Sequence, residues 1–178
     1  MNIRSPGRSR SHMANLDSRR SRAALLATHV RAARRADRER LVELLVAQLR
    51  EHRIRTPRAR LARAVDGVLG DARRGRLLVA TIAGRAIGLA ALSFVWPLEH
   101  GGRSAWLEEL YVEPSHRGRG IGRALLRAAC RVAARAGAAA VDLEVDAAHR
   151  RAARLYAREG FRPLPRARWV RRFGHARR

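Results

Sequence analysis

Apolar residues recur along the chain in two periods, and the switches between them mark out its elements. Val30–Ala33 reads as a short strand. Asp37 then stands where a helix N-cap is favoured. Leu41, Leu44, Leu45, Gln48 and Leu49 follow at helical spacing, which predicts a first helix near 38–52. Thr56-Pro57 opens a second helix, with Thr56 as cap and Pro57 in the first turn. Its apolar stripe is Leu61, Ala64, Val65, Val68 and Leu69, and Gly70 and Gly75 flank its end. Two β-rich runs, 77–83 and 86–96, are joined by Gly84-Arg85 and predict a hairpin. A third run, 103–112, extends this antiparallel meander. Ala124, Leu125, Ala128, Ala129, Val132 and Ala133 predict a buried helix ending at Gly137. A strand at 139–145 and a helix at 147–159 come next, the helix closed by Gly160. The runs 161–163 and 167–173 are expected to be two last strands. The order β-α-α-β-β-β-α-β-α-β-β gives an α/β fold, an α+β mixed sheet flanked by helices.

Residues 1–27 break this pattern. Arg4, Arg8, Arg10, Arg19, Arg20 and Arg22 lie among serines with little apolar periodicity, so the segment is expected to be a basic, disordered arm or a tag. Ser11-His12-Met13 reads as a cloning remnant or a second start. The remainder, 28–178, is expected to form one domain, as its length allows. No apolar run is long enough for a membrane span. The first residues lack the apolar stretch of a secretory signal, and a cytoplasmic location follows as the expectation. The lone cysteine, Cys130, excludes an internal disulfide, and its apolar neighbours predict a packed, inert thiol.

The formal net charge is +24, and all 39 basic residues counted are arginine. Abundant alanine beside arginine without lysine points to a coding bias of a GC-rich, bacterial kind. A basic surface attracts nucleic acid or anionic membranes. Here the arginines run through the whole chain instead of gathering on one reading element, so neither partner is expected. Attraction for an anionic cofactor is the favoured consequence.

The most specific chemistry sits between a strand and a helix, at Arg117-Gly118-Arg119-Gly120-Ile121-Gly122. Glycines there let the backbone approach a ligand. Successive N–H groups at a helix N-terminus form an anion site. Arg117, Arg119 and Arg123 can add charge-assisted bonds to phosphate oxygens. The run lacks the Gly-Lys-Ser/Thr ending of a P-loop and the opening strand-turn-helix unit of a dinucleotide fold.

The stretch Leu110-Tyr111-Val112-Glu113-Pro114-Ser115-His116-Arg117-Gly118-Arg119-Gly120-Ile121-Gly122 resembles the acetyl-CoA-binding motif of the GCN5-related N-acetyltransferases, Arg/Gln-x-x-Gly-x-Gly/Ala after a strand. Ala152-x-x-Leu155-Tyr156-x-x-x-Gly160-Phe161 resembles the second signature of that family, at the expected distance. The resemblance covers roughly 30–173 and implies the family's acyltransferase fold. It implies acetyl-CoA as acyl-donor cosubstrate, with no metal. The pantetheine arm would insert beside the strand at Leu110, Tyr111 and Val112. The pyrophosphate would rest on the backbone of 117–122, with Arg117 and Arg123 near it. His149, where the family usually has Asn, and Ala152 fall at cofactor-binding positions. Tyr156 matches the residue that protonates the leaving thiolate.

A base must also take a proton from the ammonium before it can attack. Glu108 and Glu109 are the best candidates, expected on opposite strand faces. The Glu-Asp pair of polyamine-type acetyltransferases resembles this pair and favours Glu108 as base, with Glu109 assisting or binding substrate. A water chain or His100 is the weaker alternative. Glu51, His52, Trp96, Glu99 and His100 join the two glutamates in the expected acceptor region, which suits a small cationic amine. Acetylation of a protein or peptide, a non-catalytic acyl-CoA sensor and a nucleic-acid-binding protein are the competing readings. A homodimer through the last strands is compatible with all of the enzymatic ones.

Overall fold

A computed structural model of the chain describes residues 28–146 and 148–171. The chain falls into two compact units, which divide between Glu144 and Val145. In the first, a five-stranded sheet runs β1 (His29–Ala32), β2 (Gly75–Ile82), β3 (Arg85–Val95), β4 (Ser104–Val112) and β5 (Val141–Leu143), in that spatial order. Neighbours are antiparallel except β4 and β5, which are parallel. Three helices belong to this unit: α1 (Arg38–Glu51), α2 (Arg58–Gly70) and α3 (Ile121–Arg135).

The apolar periods explain where each helix packs. Leu41, Val42, Leu44 and Leu45 on α1 and Val65 on α2 meet Leu77, Val79, Leu89 and Tyr111 in one buried cluster. The stripe Ile121, Leu125, Leu126, Ala128, Ala129 and Ala133 buries α3 against the sheet. The β2–β3 hairpin turns through Ala83 and Gly84, at φ 48° and 78°. Two left-handed residues between paired Ile82 and Arg85 make the turn whose twist suits the flanking strands. The helix starts differ in detail from expectation. Asp37 stands at the N-cap of α1, but its carboxylate accepts from Arg31 (2.7 and 2.8 Å) and from the Arg34 N–H. Those bonds, the Arg31 one foremost, hold its pKa below the ordinary carboxylate value. Pro57, not Thr56, occupies the N-cap position of α2.

The second unit contains α4 (Arg150–Arg158), shorter than the expected 147–159. Asp146 Oδ1 accepts from the Ala148 N–H at 2.9 Å, capping the turn that leads into it. Residues 161–171 carry no strand, in contrast to the two expected there. Pro163 and Pro165 remove ladder donors from this stretch. Leu164, Trp169 and Val170 are exposed, with no apolar surface covering them. Residues 172 and 173 of the second expected strand lie outside the described residues, as does the expected arm at 1–27. No helix among the described residues is long and apolar enough to cross a membrane.

Strand pairing makes a sharp demand at Gly75. It faces Ser93 across the β2–β3 ladder, and a Cβ built on it would lie 1.9 Å from the Leu92 carbonyl oxygen. Backbone cannot yield there as a flexible side chain would. Gly75→Ala is therefore expected to cost about 1–3 kcal/mol or more in urea unfolding. Gly70→Ala, with open space around the same position, should be neutral or stabilising by about 0.5–1 kcal/mol.

Candidate active site

β4 departs from regular pairing at one place. Ala91 pairs with Glu109 and Leu92 with Leu107, so Glu108 is an extra residue without a partner on β3. Such a bulge kinks the strand and re-aims its side chains. Regular alternation would set Leu107 and Glu109 on one face. Their partners Ala91 and Leu92 are adjacent and point opposite ways. Glu109 thus joins Ala91 on the face that α1 covers, while Leu107 takes the other.

Glu109 is half-buried there, and Gln48 Nε2 on α1 donates to its Oε2 at 2.5 Å. Burial, foremost, and the neighbouring Glu108 charge push its pKa up to about 7, against the lowering effect of the Gln48 bond. Glu108 is exposed and accepts from Ser93 Oγ at 2.6 Å. Ser93 lies two residues along β3 from Ala91 and shares its face, so Glu108 lies on the side of Glu109 and not on the opposite one that regular alternation predicted.

Beyond the bulge β4 also loses its second neighbour. β5 pairs with Ala105, Trp106 and Leu107 only. From Glu109 to Val112, β4 is bound to β3 on one edge and has no strand on the other among the described residues. Leu110 is half-buried on this stretch, and Tyr111 and Val112 are buried. The strand leads through a 3-10 turn, Pro114–His116, into Arg117–Gly120 and so to the N-terminus of α3. Gly118 and Gly120 sit at φ 81° and 80°. A side chain is disfavoured in that left-handed region, which accounts for both glycines. Ile121 is buried and anchors the loop, Gly122 is half-buried, and Arg119 and Arg123 are exposed. A helix start presented in this way, with bare backbone before it, fits a phosphate group.

Arg117 has a more specific setting than its motif position implies. Its Nε donates to the Val112 carbonyl at 2.7 Å, and its Nη2 donates to both carboxylate oxygens of Glu51, at 2.9 and 2.8 Å. Its guanidinium carbon lies 5.2 Å from the Tyr111 ring centroid. Tyr111 Oη in turn donates to Glu51 Oε1 at 3.1 Å, and burial, with this bond to an anion second, raises its pKa. Glu51, expected near the acceptor, is thus committed to the loop that follows β4. His100 is committed too: its Nε2 lies 3.1 Å from Asp142 Oδ2 on β5. Trp96 is 70% exposed and belongs to no core.

His52 follows α1 and Glu99 lies in the 3-10 turn Leu98–His100, both in the first unit, while His149, Ala152 and Tyr156 belong to the second. His149 stands at the N-cap of α4, and its carbonyl accepts from the Ala153 N–H at 3.1 Å. Ala152 and Tyr156 are half-buried on the helix. The Tyr156 ring meets Phe161 edge-on, with centroids 5.9 Å apart. Among the described residues no group of three or more His, Cys, Asp or Glu side chains could hold a metal ion.

Sequence reasoning missed Gln48 as the partner of Glu109, and Glu51 as the anchor of Arg117. One sign of the first was present, a polar residue inside the apolar stripe of α1. The bulge that aims Glu109 left no local sign, since the pairing register decides it.

No curated protein matches the chain. Solved structures do. A candidate acetyltransferase from Arthrobacter sp. FB24 is 30% identical, with a TM-score of 0.70 over 82% of this chain and 96% of that one. An aminoglycoside N-acetyltransferase in complex with CoA is 20% identical, with a TM-score of 0.71 over 82% and 94%. A ribosomal-protein-alanine N-acetyltransferase from Brucella melitensis biovar Abortus 2308 is 21% identical, with a TM-score of 0.64 over 83% and 100%. The model of the acetyltransferase (GNAT) family matches residues 38–161. That match takes in the bulged strand, the glycine loop and the Tyr156 helix, and the chain belongs to this family.

Proposed function

We propose that the protein transfers an acetyl group from acetyl-CoA to a primary amine, with Glu109 as the base and Tyr156 as the acid. The observation that carries this reading is the setting of Glu109. A half-buried carboxylate with a pKa of about 7 stands at the bulge where β4 parts from β5, eight residues before Arg117. A base works best when its pKa lies near the operating pH. Glu108, exposed and bound to Ser93, is better placed to attract the acceptor's charge.

Acetyl-CoA, when bound, supplies a thioester carbonyl open to attack by an amine, with a thiol as leaving group. The open edge of β4 at Leu110–Val112 suits the amides of an extended arm. Gly118, Arg119, Gly120, Ile121, Gly122 and Arg123 suit its phosphates. His149 and Ala152 are assigned to the cofactor on the resemblance of their motif. Glu109 takes a proton from the ammonium, and the freed lone pair forms the new C–N bond. Tyr156 gives a proton to the sulfur as the C–S bond breaks. That role rests on its place in Leu155-Tyr156 of the second signature. The small-amine acceptor is favoured by the two glutamates, the carboxylates that α1 leaves uncommitted to arginine on β4. The aminoglycoside enzyme with the same fold gives precedent for such an acceptor, and the ribosomal-protein-alanine enzyme for a protein terminus.

Thiol release from acetyl-CoA against polyamines, amino acids, aminoglycosides and short peptides tests the reading. At least one amine should stimulate release, and Tyr156→Phe should reduce it by about 10²-fold or more. Acetyl-CoA binding without release for any amine would reject the enzymatic reading in favour of a sensor.

The base assignment predicts a kinetic limb. kcat/KM should rise with pH through about 7, and Glu109→Gln should lose both the limb and about 10²–10⁴ of the rate. Glu108→Gln should keep the limb, shifted to lower pH.

Stability carries the same signature with the opposite sense. The folded-state pKa of Glu109 lies above its ordinary value of 4.5, so its contribution to stability is full below 4.5 and is lost as pH rises through about 7. Urea midpoints should therefore show Glu109→Gln more stable than the parent at pH 8 and equal to it at pH 4.

A further inference from the structure

We propose that Gln48 is a positioning residue for the reaction: its side-chain amide keeps the Glu109 carboxylate charged and turns one chosen oxygen toward the acceptor. The assignment rests on the reading of Glu109 as base. Gln48 is 6% exposed, and its neighbours on the same face of α1 are Leu41, Leu44 and Leu45. A leucine at this position would continue the stripe. The amide instead leaves its own Oε1 buried with no hydrogen-bond partner. A buried polar group left half-satisfied is costly, and natural cores rarely keep one without a use. The Nε2 bond to Glu109 is the one hydrogen bond this side chain makes among the described residues.

The geometry gives that bond two effects. It occupies Glu109 Oε2 and leaves Oε1 without a partner among the described residues, so the proton is received at a defined atom. It also supplies the stabilisation that a buried carboxylate needs when no cation is beside it. The groups that bear on Glu109 are few. Glu108, on its own strand, disfavours the charge, and Ala91, its partner on β3, is apolar. On α1, Glu51 lies one turn beyond Gln48 and is bound to Arg117 and Tyr111. The Gln48 amide alone favours the charged form.

The test is Gln48→Met, which keeps the length of the side chain and removes the donor. Carbon-13 NMR of the glutamate carboxyls in the cofactor-free protein, with Glu109→Gln to assign the resonance, should show the Glu109 midpoint moving up by about one to two pH units. The acidic limb of kcat/KM should follow it. Activity at pH 7 should then fall about tenfold or more and recover at higher pH. Gln48→Glu, which preserves the shape of the side chain, should raise the midpoint further, because the two carboxyls must share a proton. It serves also if the methionine variant fails to fold. A midpoint that stays or falls overturns the role of Gln48. So does a loss of rate equal at every pH, the mark of a merely structural part. A midpoint that moves while the kinetic limb stays overturns Glu109 as the base, and the part of Gln48 in the reaction with it.

Discussion

The chain carries 39 arginines, yet none among the described residues is among the groups acting on the Glu109 carboxylate. An ion pair would be the simplest way to bury that charge, and a pair would hold its pKa low. The fold uses an uncharged amide from α1 instead, and leaves the carboxyl balanced near neutrality. Such an arrangement costs stability above pH 7 and is hard to explain as scaffolding. Much of the first unit follows from it. α1 must cross β4 closely enough for Gln48 to reach, and β4 must bulge to bring Glu109 beneath the helix. The sheet must also stop short at β5 so that the strand keeps an open edge.

Arginine is used elsewhere on the same helix. Glu51, one turn beyond Gln48, draws in Arg117 and Tyr111. Arg117 spends Nε and Nη2 on Val112 and Glu51, which leaves the Nη1 group for a further partner. A guanidinium held in this way is pre-oriented, and a pre-oriented donor loses less freedom on binding any further partner. The motif reading placed Arg117 beside the cofactor. The structure adds that it fastens the start of the loop to the end of α1.

The first three helices and the first four strands were legible because each buries one periodic face, and periodicity survives in the sequence. The glycine loop was legible because left-handed backbone at 118 and 120 restricts the choice of residue. The bulge was not. Its signature is the pairing of Ala91 with Glu109 and of Leu92 with Leu107, a relation between strands that no local window contains. For the same reason strict alternation misjudged which way the two glutamates face. The run 161–171 failed differently. Val170, Trp169 and Leu164 have β-forming side chains, but propensity makes a strand only where a partner edge and a covering layer exist. Two prolines and a high density of arginine offer neither.

Family membership leaves the acceptor open, and the charge distribution narrows it. Of the seven acceptor residues expected from the sequence, Glu51 and His100 are committed to the scaffold, to Arg117 and to Asp142. What remains on β4 is a pair of carboxylates in unlike settings, Glu108 exposed on Ser93 and Glu109 half-buried under α1. Two adjacent carboxylates of unlike exposure suit an ammonium that must first be attracted and then deprotonated. On the proposed reading the exposed Glu108 draws the cation, and Glu109, its pKa raised to about 7 by burial, accepts the proton. An acceptor carrying a second anion close to its amine would meet repulsion from Glu108, with no uncommitted arginine shown beside the pair to offset it. For the proposed transfer, this charge pattern favours a cationic amine whose nearest neighbours are neutral.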